Sequence, residues 1–323
     1  MDSLTQNSVL ITPFRHTFFP LIRASVTAHT QNEFSKKCGG ADMGMVHNAV
    51  GKFNVNQRTE LFYRRFIPSK PSLVLVFIHG AGQHSGQFVD LGRYCLQHNI
   101  AFYAFDLRGF GQSTGKRGHV HSFYEYLDDM HKFIGFVREV HPGEPIFLLG
   151  HSLGGTIVAR YGQEYVSQVQ GAIFSSPALR LRFHIPKSLY LVCHFLSFLT
   201  PRMSMDLNQW CNLVTRVCRL TDTYTFVEND PLFTCNFSVR WVNQLLANGQ
   251  QALRKARNFQ MATLCLGGTN DPLVDPVAVQ EFYDSLQVKD KKFVLFEANH
   301  ELLQEDSKET VYESIIEWLK CHL

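Results

Sequence analysis

The chain has 323 residues, 45% of them hydrophobic and 18% charged, with a formal net charge of +3. This length and composition allow one large α/β domain, with or without an insertion, and so mild a charge without a lysine–arginine block argues against a nucleic-acid partner. No run approaches the roughly 20 apolar residues needed to span a bilayer, since the richest, residues 189–199, is 11 residues long and contains His194.

Short apolar runs follow an N-terminal segment that lacks any pattern. Residues 1–47 show no sustained periodicity, and we interpret them as a poorly ordered extension. A strand pair is expected from about Phe53 to residue 63, and six later runs are apolar throughout, as in strands buried within a parallel sheet. The runs are 73–78, 100–105, 146–149, 171–174, 263–266 and 293–296. Helical patterns occupy residues 123–140, 156–165, 277–286 and 310–319.

The order of these segments predicts the fold class. Strands that alternate with helices pair in parallel through right-handed crossovers, so we expect an α/β fold with a doubly wound, mostly parallel sheet. The alternation stops between residues 177 and 259, where apolar helix-like segments carry no clear buried strand. Insertions in such sheets leave from the carboxyl ends of strands, beside the active-site crevice. We therefore interpret 177–259 as a helical cap, or lid, inserted between core segments 48–176 and 260–323.

One motif points to nucleophilic catalysis. Residues 150–154 read Gly-His-Ser-Leu-Gly and match the pattern G-x-S-x-G, with an apolar strand before them and a helical pattern after. This context predicts a tight turn that projects the hydroxyl of Ser152 above the sheet edge. A serine hydroxyl needs a base to remove its proton, and the base must be oriented by a third group. Asp271 and His300 follow two later strands in the expected order, so we predict Ser152 as nucleophile, His300 as general base and Asp271 as the residue that orients it.

Neighbouring residues offer alternatives to this assignment. Asp275 competes with Asp271, but it stands directly before a proline and an apolar helix, where an aspartate caps the helix N-terminus. His300 could be a surface-loop histidine, and His151 within the motif is interpreted as structural. His194, in the apolar run, is interpreted as an interior or lid residue. Four further histidines could line the site, although none follows the acid in the chain: His79, His84, His119 and His121.

Acyl transfer also needs donors for the oxyanion that develops on the substrate. The backbone N–H of Leu153, directly after the nucleophile, is one candidate. The second is the N–H of Ala81, in the glycine-rich loop after the first core strand. That loop could instead be a plain turn, but it contains neither the P-loop pattern nor the Rossmann pattern, so it does not indicate phosphate or dinucleotide binding.

Six blocks of sequence follow one another in chain order: 79–86 (HGAGQHSG), 106–115 (DLRGFGQSTG), 150–155 (GHSLGG), 229–232 (NDPL), 268–271 (GTND) and 299–303 (NHELL). Together they resemble the monoacylglycerol lipase and lysophospholipase branch of the α/β-hydrolase family, the serine hydrolases of this fold. The resemblance covers roughly residues 53–320. Asn299 precedes His300 where such enzymes often carry a tyrosine, and Phe110 replaces a common histidine.

The resemblance implies hydrolysis of the carboxylic ester of single-chain acyl lipids, monoacylglycerol or lysophospholipid, through an acyl-enzyme on Ser152 and without a cofactor. It also implies the same triad, the same two oxyanion donors and a cap whose apolar outer surface touches a membrane, with Leu189, Phe195 and Leu196 in contact with the acyl substrate. Packing of the same apolar cap residues against the core is an equal alternative: Leu189, Val192, Phe195, Leu196, Phe198 and Leu199. With an ordinary histidine as base, activity should rise between about pH 6 and 7.

Other chemistries remain open on the same triad: thioester hydrolysis, aminopeptidase-like cleavage or acyl transfer, and, in a different class, a non-enzymatic ligand-binding member of the fold. Eight scattered cysteines contain no C-x-x-C pair, so the close ligand pairs of a zinc site are missing and no metal is expected. We interpret the thiols as reduced, and we expect a cytoplasmic protein, peripheral at a membrane surface if the cap touches lipid.

Overall fold

The computed structural model describes residues 47–165, 169–182, 186–206 and 230–323, and its central feature is an eight-stranded sheet. The strands are β1 His47–Asn56, β2 Thr59–Ile67, β3 Leu73–Ile78, β4 Ile100–Phe105, β5 Ile146–His151, β6 Gly171–Ser175, β7 Ser204–Asp206, β8 Asn236–Ser238, β9 Ala262–Gly268 and β10 Lys291–Phe296. The sheet has the order β1-β2-β4-β3-β5-β6-β9-β10, while β7 and β8 form a separate antiparallel pair. In the large sheet, the neighbouring strands β4, β3, β5, β6, β9 and β10 all pair in parallel, while β2 is antiparallel to both β1 and β4. This confirms the predicted mostly parallel sheet.

Helices cover both faces of the sheet. They are α1 Val89–Gln97, α2 Tyr124–Val140, α3 Leu153–Glu164, α4 Lys187–Leu199, α5 Val239–Arg254, α6 Pro276–Ser285 and α7 Lys308–Lys320. The apolar sides of α2, α3, α5 and α6 contribute to one buried cluster, and those of α1 and α7 to another. The doubly wound architecture is therefore confirmed.

Strand β3 illustrates why the core strands are apolar throughout. Successive side chains of a strand point to opposite faces of the sheet. Val74, Val76 and Ile78 thus enter the cluster under α2 and α3, whereas Leu73, Leu75 and Phe77 enter the cluster under α1 and α7. All six side chains are fully buried. Because both faces are covered, no polar residue interrupts the run.

The first strand pair is present but longer than expected. Strand β1 begins at His47, before Phe53, where ordered structure was expected to start, and pairs with β2 in antiparallel register. It lies at the edge of the sheet, and from residue 48 to 56 exposed residues alternate with half-buried or buried ones, because successive side chains point to opposite faces. An edge strand of this kind carries no continuous apolar run, so its sequence does not mark its beginning.

The described part of 177–259 contains α4, the β7–β8 pair and α5. Helix α5 lies against the core, where the indole N–H of Trp241 donates to the hydroxyl of Tyr126 at 2.9 Å and Nε of buried Arg160 donates to Asn248 at 3.2 Å. The boundaries of the cap stay a prediction, and most of the N-terminal extension and Asn229 lie outside the described residues. Within the described ranges, no helix is both long enough and apolar enough to cross a membrane.

Candidate active site

Ser152 occupies a strained turn between β5 and α3. Its backbone has φ +51° and ψ −115°, a conformation that residues other than glycine rarely adopt. Hydrogen bonds hold it there: its N–H donates to the carbonyl of Ser175 at 2.9 Å, and its own carbonyl accepts from Thr156 at 3.2 Å and from Ala178 at 3.0 Å. Strain of this kind persists only where the surroundings over-determine the backbone, as they do here.

Two glycines of the motif make this turn sterically feasible. A Cβ atom on Gly154 would lie 2.0 Å from the carbonyl oxygen of Ile78, the last residue of β3. A Cβ on Gly150 would lie 2.4 Å from the carbonyl oxygen of Gly154. Both distances are far inside van der Waals contact, so helix α3 can approach β3 and β5 this closely only with glycine at these positions.

The structure brings the three predicted catalytic side chains into one hydrogen-bonded chain. Nε2 of His300 lies 2.9 Å from Oγ of Ser152, and Nδ1 of His300 lies 2.7 Å from Oδ2 of Asp271. The three residues follow β5, β9 and β10, whose carboxyl ends meet at the same edge of the sheet. Asp271 and His300 are each only 2% exposed.

Asp271 is held in its ionised form. Its Oδ1 accepts the backbone N–H groups of Leu273 at 2.8 Å and Val274 at 2.9 Å, while Oδ2 faces His300. Burial alone would raise the pKa of this carboxyl, but the charge of His300 and the three hydrogen bonds outweigh burial and hold the pKa below its ordinary value. The competing Asp275 caps α6 by accepting the N–H of Val277 at 3.0 Å, which confirms its predicted role.

The same pair sets the basicity of His300. Burial disfavours the imidazolium, but the charge of Asp271 and its hydrogen bond outweigh burial and raise the pKa of His300 to about 9. A histidine of ordinary pKa would give an activity rise between about pH 6 and 7. The contact with Asp271 moves the expected rise to higher pH, which corrects the expectation drawn from the sequence.

The two predicted oxyanion donors lie beside Ser152. Leu153 is buried and is the first residue of α3, directly after the nucleophile. Ala81 follows Gly80, and a Cβ atom added to Gly80 would lie only 3.2 Å from Cβ of Ser152, so the loop containing Ala81 lies against the nucleophile. Among the described residues, neither the N–H of Ala81 nor that of Leu153 donates a hydrogen bond. Unpaired amides beside a nucleophile, one of them at a helix N-terminus, suit a developing negative charge.

His79 fixes the beginning of this loop through hydrogen bonds on both ring nitrogens. Its Nε2 accepts the backbone N–H of Leu107 at 2.9 Å, so Nδ1 carries the proton and donates to the carbonyl of Gly80 at 2.7 Å. Complete burial lowers the pKa of His79 to about 4, which keeps the ring neutral. The adjacent Asp106 accepts the N–H groups of Ser85 and Gln112, both at 2.7 Å, and fixes the following turn.

A buried carboxylate that the sequence did not single out links the loops of the site. Oε2 of Glu301, directly after His300, accepts Nε2 of Gln83 at 2.9 Å and lies 3.1 Å from Nε2 of His151. Oε1 of Gln83 in turn accepts the backbone N–H of Gly80 at 2.9 Å. Burial would raise the pKa of Glu301, but electrostatic attraction to His151 and His300 and the hydrogen bond from Gln83 outweigh burial and hold the pKa below its ordinary value. In the sequence, only its position between His300 and two leucines pointed to a buried glutamate at the site.

His151, His300 and Glu301 are residue types that bind metal ions, and they lie close together. Ligand atoms of His151, His300 and Glu301 lie within 4.8 Å of one another. Both ring nitrogens of His300 are already bonded to Ser152 and Asp271, and the Glu301 oxygen is bonded to Gln83. The donor set is therefore committed to internal hydrogen bonds and fits the triad better than it fits a metal.

A second unpredicted contact joins the loop of Ala81 to the cap region. Nδ1 of His84 accepts the N–H of Gly86 at 3.1 Å, so Nε2 carries the proton and donates to Asp230 at 2.7 Å. The N–H of Thr234 donates to the carbonyl of Gly82 at 3.1 Å. His119, also named from the sequence, instead pairs with Ser238 at 2.7 Å.

An open cavity of about 650 Å³ lies between α4, α5 and the segment that follows β6. Helix α4 contributes Lys187, Tyr190 and Leu191 to its wall. The α4 residues expected to bind substrate do not line it: Leu189 and Leu196 are half-buried elsewhere on the helix, and Phe195 is 62% exposed. The remaining lining residues are Ala178, Leu179, Arg180, Leu181, Arg182, Leu245, Leu246, Gln250 and Asp275.

Comparisons with known proteins show which families and structures this chain resembles. The family model described as "Serine aminopeptidase, S33" (Hydrolase_4) matches residues 69–307, more than half of the chain. Phospholipase YtpA of Bacillus subtilis is 30% identical, with 76% of this chain and 94% of the relative covered. Human monoglyceride lipase is 27% identical, with coverage of 86% and 90%. The crystal structure of the Paleococcus ferrophilus monoacylglycerol lipase matches with a TM-score of 0.71 and 30% identity, covering 81% of this chain and 99% of that one.

Proposed function

The chain belongs to the Hydrolase_4 family of serine hydrolases, and from this membership we propose that it hydrolyses the carboxylic ester of single-chain acyl lipids, monoacylglycerols or lysophospholipids. The observation that carries the proposal is the continuous hydrogen-bonded chain from Ser152 through His300 to Asp271. The names of the relatives, a phospholipase and monoacylglycerol lipases, support the class of substrate.

In the acylation step, the hydroxyl of Ser152 transfers its proton to Nε2 of His300 as its oxygen attacks the ester carbonyl. The carbonyl oxygen becomes an oxyanion and accepts the N–H groups of Ala81 and Leu153. The buried carboxylate of Asp271 stabilises the imidazolium that forms. His300 then donates this proton to the departing alcohol oxygen, and the acyl group remains on Ser152.

Deacylation reverses the proton movements with water in place of the alcohol. His300 accepts a proton from water while the water oxygen attacks the acyl carbonyl, and the same two amides hold the second oxyanion. Collapse of this intermediate returns the proton to Oγ of Ser152 and releases the fatty acid. Apart from the ester and water, every group in the proposed cycle belongs to the chain itself, so the proposed reaction needs no cofactor.

Helix α4 supports a role at a lipid surface. Its outer side exposes large apolar residues, which soluble proteins rarely gather in one contiguous patch. We propose that this side contacts the surface from which substrate is taken, so that the protein is peripheral to a membrane. The exposed members are Leu191 at 65%, Val192 at 52%, Phe195 at 62%, Phe198 at 65% and Leu199 at 63%.

The test is release of oleic acid from monooleoylglycerol and from oleoyl-lysophosphatidylcholine by the purified chain and its Ser152→Ala variant. Release that disappears in Ser152→Ala but persists in Ser307→Ala, a serine exposed on the surface, supports the proposal. A fluorophosphonate probe should label the native chain and Ser307→Ala but not Ser152→Ala. Labelling without release from either lipid would contradict the proposed substrate and favour thioester, peptide or acyl-transfer chemistry on the same triad.

A further inference from the structure

The contact between His84 and Asp230 joins two sequence blocks whose paired residues lie 146 positions apart. His84 belongs to the block HGAGQHSG, which also contains Ala81, and Asp230 belongs to the block NDPL in the predicted cap. The proposed catalytic cycle uses Ala81 as an oxyanion donor but gives no role to NDPL. The fold places the carboxylate of this block against the loop of the oxyanion donor, so we ask what that carboxylate does there.

Both oxygens of Asp230 accept hydrogen bonds. Oδ2 accepts Nε2 of His84 at 2.7 Å and Nε2 of Gln87 at 3.0 Å, and Oδ1 accepts the backbone N–H of Leu232 at 2.9 Å. Burial would raise the pKa of Asp230, but these hydrogen bonds outweigh burial and hold the pKa below its ordinary value. Because hydrogen bonds to an ionised acceptor are stronger than those between neutral groups, Asp230 is a firm anchor for His84 and Gln87.

The ring of His84 connects this anchor to the backbone of the loop. Its Nε2 donates to Asp230, and its Nδ1 accepts the N–H of Gly86 at 3.1 Å, so both ring nitrogens are fixed. His84 is only 6% exposed, and a Cβ atom on Gly86 would lie 2.7 Å from Cε1 of the ring. A ring that is bonded on both sides and packed against the backbone cannot turn without moving the loop.

The segment after Asp230 also holds the loop at Gly82, the residue directly after Ala81. The N–H of Thr234 donates to the carbonyl of Gly82 at 3.1 Å. Gly82 has φ +80°, and a Cβ atom there would lie 2.5 Å from the carbonyl oxygen of Thr234, so the two backbones are in direct contact. This second contact limits how far Ala81 can move away from the nucleophile.

We infer that Asp230 is a positioning residue that holds the loop of Ala81 in place beside Ser152. The inference rests on the proposed ester hydrolysis, since the position of the Ala81 amide matters for the rate only if an oxyanion forms on the substrate. An amide stabilises an oxyanion only near hydrogen-bond distance, so a small displacement of the loop slows the reaction. The cap region thus contributes to the oxyanion hole without touching the substrate oxygen.

Other contacts of the same loop set the size of the effect. Gln83 accepts the N–H of Gly80, and Asp106 accepts the N–H of Ser85, and both of these anchors belong to the core. Loss of Asp230 therefore loosens the loop without releasing it. Complete removal of an oxyanion donor costs about 10²–10³ in kcat, so kcat in Asp230→Ala should fall by a smaller factor of about ten, with little change in KM.

Hydrolysis of p-nitrophenyl butyrate tests this expectation without a lipid surface. The kcat values refer to active sites titrated with a fluorophosphonate probe, so that unfolded chains do not count. Asp230→Asn keeps one oxygen that can accept from His84 and should retain more of kcat than Asp230→Ala. Asp290→Ala is the matched control, because Asp290 also pairs with a histidine, Nε2 of His322 at 2.8 Å, but lies exposed on the surface before β10. It should leave kcat unchanged.

An alkyl trifluoromethyl ketone reports on the oxyanion hole itself. Oγ of Ser152 adds to its carbonyl carbon, and the serine proton passes to Nε2 of His300. The carbonyl oxygen becomes an oxyanion that accepts the N–H groups of Ala81 and Leu153. The affinity of this ketone should fall in Asp230→Ala by about the same factor as kcat, whereas the affinity of the matching methyl ketone, which stays neutral, should change little.

A double variant shows whether Asp230 acts through His84. If it does, Asp230→Ala combined with His84→Ala should lose about as much kcat as the larger of the two single losses. A loss equal to the product of the two single factors would overturn the route through His84.

The ketone separates failure of the inference from failure of the proposed function. Native kcat and native ketone affinity in Asp230→Ala would overturn the inference while the hydrolysis stands. If the native chain binds the ketone but releases fatty acid from neither lipid, the proposed substrate is wrong, and the weaker ketone binding of Asp230→Ala still supports its positioning role. A native chain that cleaves no ester and binds no trifluoromethyl ketone would overturn both.

Discussion

Replacing Glu301 tests whether the loops of the site depend on one another. Its carboxylate connects the loop of His300 to Gln83, and Gln83 holds the backbone N–H of Gly80 next to the predicted oxyanion donor Ala81. In Glu301→Ala, Nε2 of Gln83 loses its acceptor and His151 loses the nearest negative charge. Glu301 is only 5% exposed, so water cannot readily replace it.

The expected cost follows from these contacts. A buried donor left without its partner costs about 1–3 kcal/mol, and the loss of a second favourable contact at His151 brings the expected decrease in unfolding free energy to roughly 2–4 kcal/mol. For a domain of this size that corresponds to a fall in Tm of about 5–10 °C. Glu301→Gln keeps an oxygen that can accept from Gln83 and should lose less than half as much.

The effect on catalysis should appear in kcat more than in KM. A displaced Gly80 shifts the amide of Ala81, and removal of a complete oxyanion donor in other serine hydrolases costs about 10²–10³ in kcat. Partial displacement should cost roughly tenfold. Glu297→Ala, an exposed carboxylate before the same loop, is the matched control and should leave Tm and kcat unchanged. Wild-type values of both quantities in Glu301→Ala would refute the linkage.

Acidification provides an independent check on Glu301. Because the pKa of its carboxyl is lower in the folded chain than its ordinary value, the ionised group stabilises the fold above the ordinary carboxylate pKa, and this contribution is lost as the pH falls through the lowered value. The native chain should therefore lose its stability advantage over Glu301→Gln in acid. A constant difference between the two across that range would contradict the ionised state.

Three further variants test other parts of the structure. Asp271→Asn removes the charge that raises the pKa of His300, so kcat should fall by about 10³–10⁴ and the remaining activity should rise at lower pH than in the native chain, which a pH–rate profile would show. Gly154→Ala places a methyl group 2.0 Å from the carbonyl of Ile78 and should abolish fluorophosphonate labelling or folding, measured together by probe gel and circular dichroism. Val192→Ser combined with Leu199→Ser should weaken cosedimentation with phosphatidylcholine vesicles, whereas Val277→Ser, 58% exposed on α6, should not. Equal cosedimentation of both would exclude α4 as the contact surface.

The central strands could be predicted because burial on both faces leaves a continuous apolar run. Strands β3 and β4 begin and end at the predicted residues, and the other four runs lie within β5, β6, β9 and β10. Strands β1, β7 and β8 have an exposed side or only three residues, so no such run marks them. Helix α1 was also missed, because its nine residues bury only a narrow stripe against the sheet.

The meeting of Ser152, His300 and Asp271 could be predicted for a related reason. Parallel strands bring their carboxyl ends to one edge, so residues after β5, β9 and β10 are neighbours whatever the length of chain between them. Contacts between loops have no such rule. Gln83 and Glu301 are 218 positions apart, and His84 and Asp230 are 146 apart, yet each pair lies within hydrogen-bond distance. Only the path of the folded loops brings these side chains together.

These long-range contacts decide which segments can influence the nucleophile. The loop of Ala81 is bonded to the loop of His300 through Gln83, and to the cap region through His84 and the carbonyl of Gly82. The segment after β6 is bonded to Ser152 through Ala178 and to Asp271 through Arg182. A displacement of Asp230 or Thr234 would therefore act on the loop of Ala81 through one direct hydrogen bond.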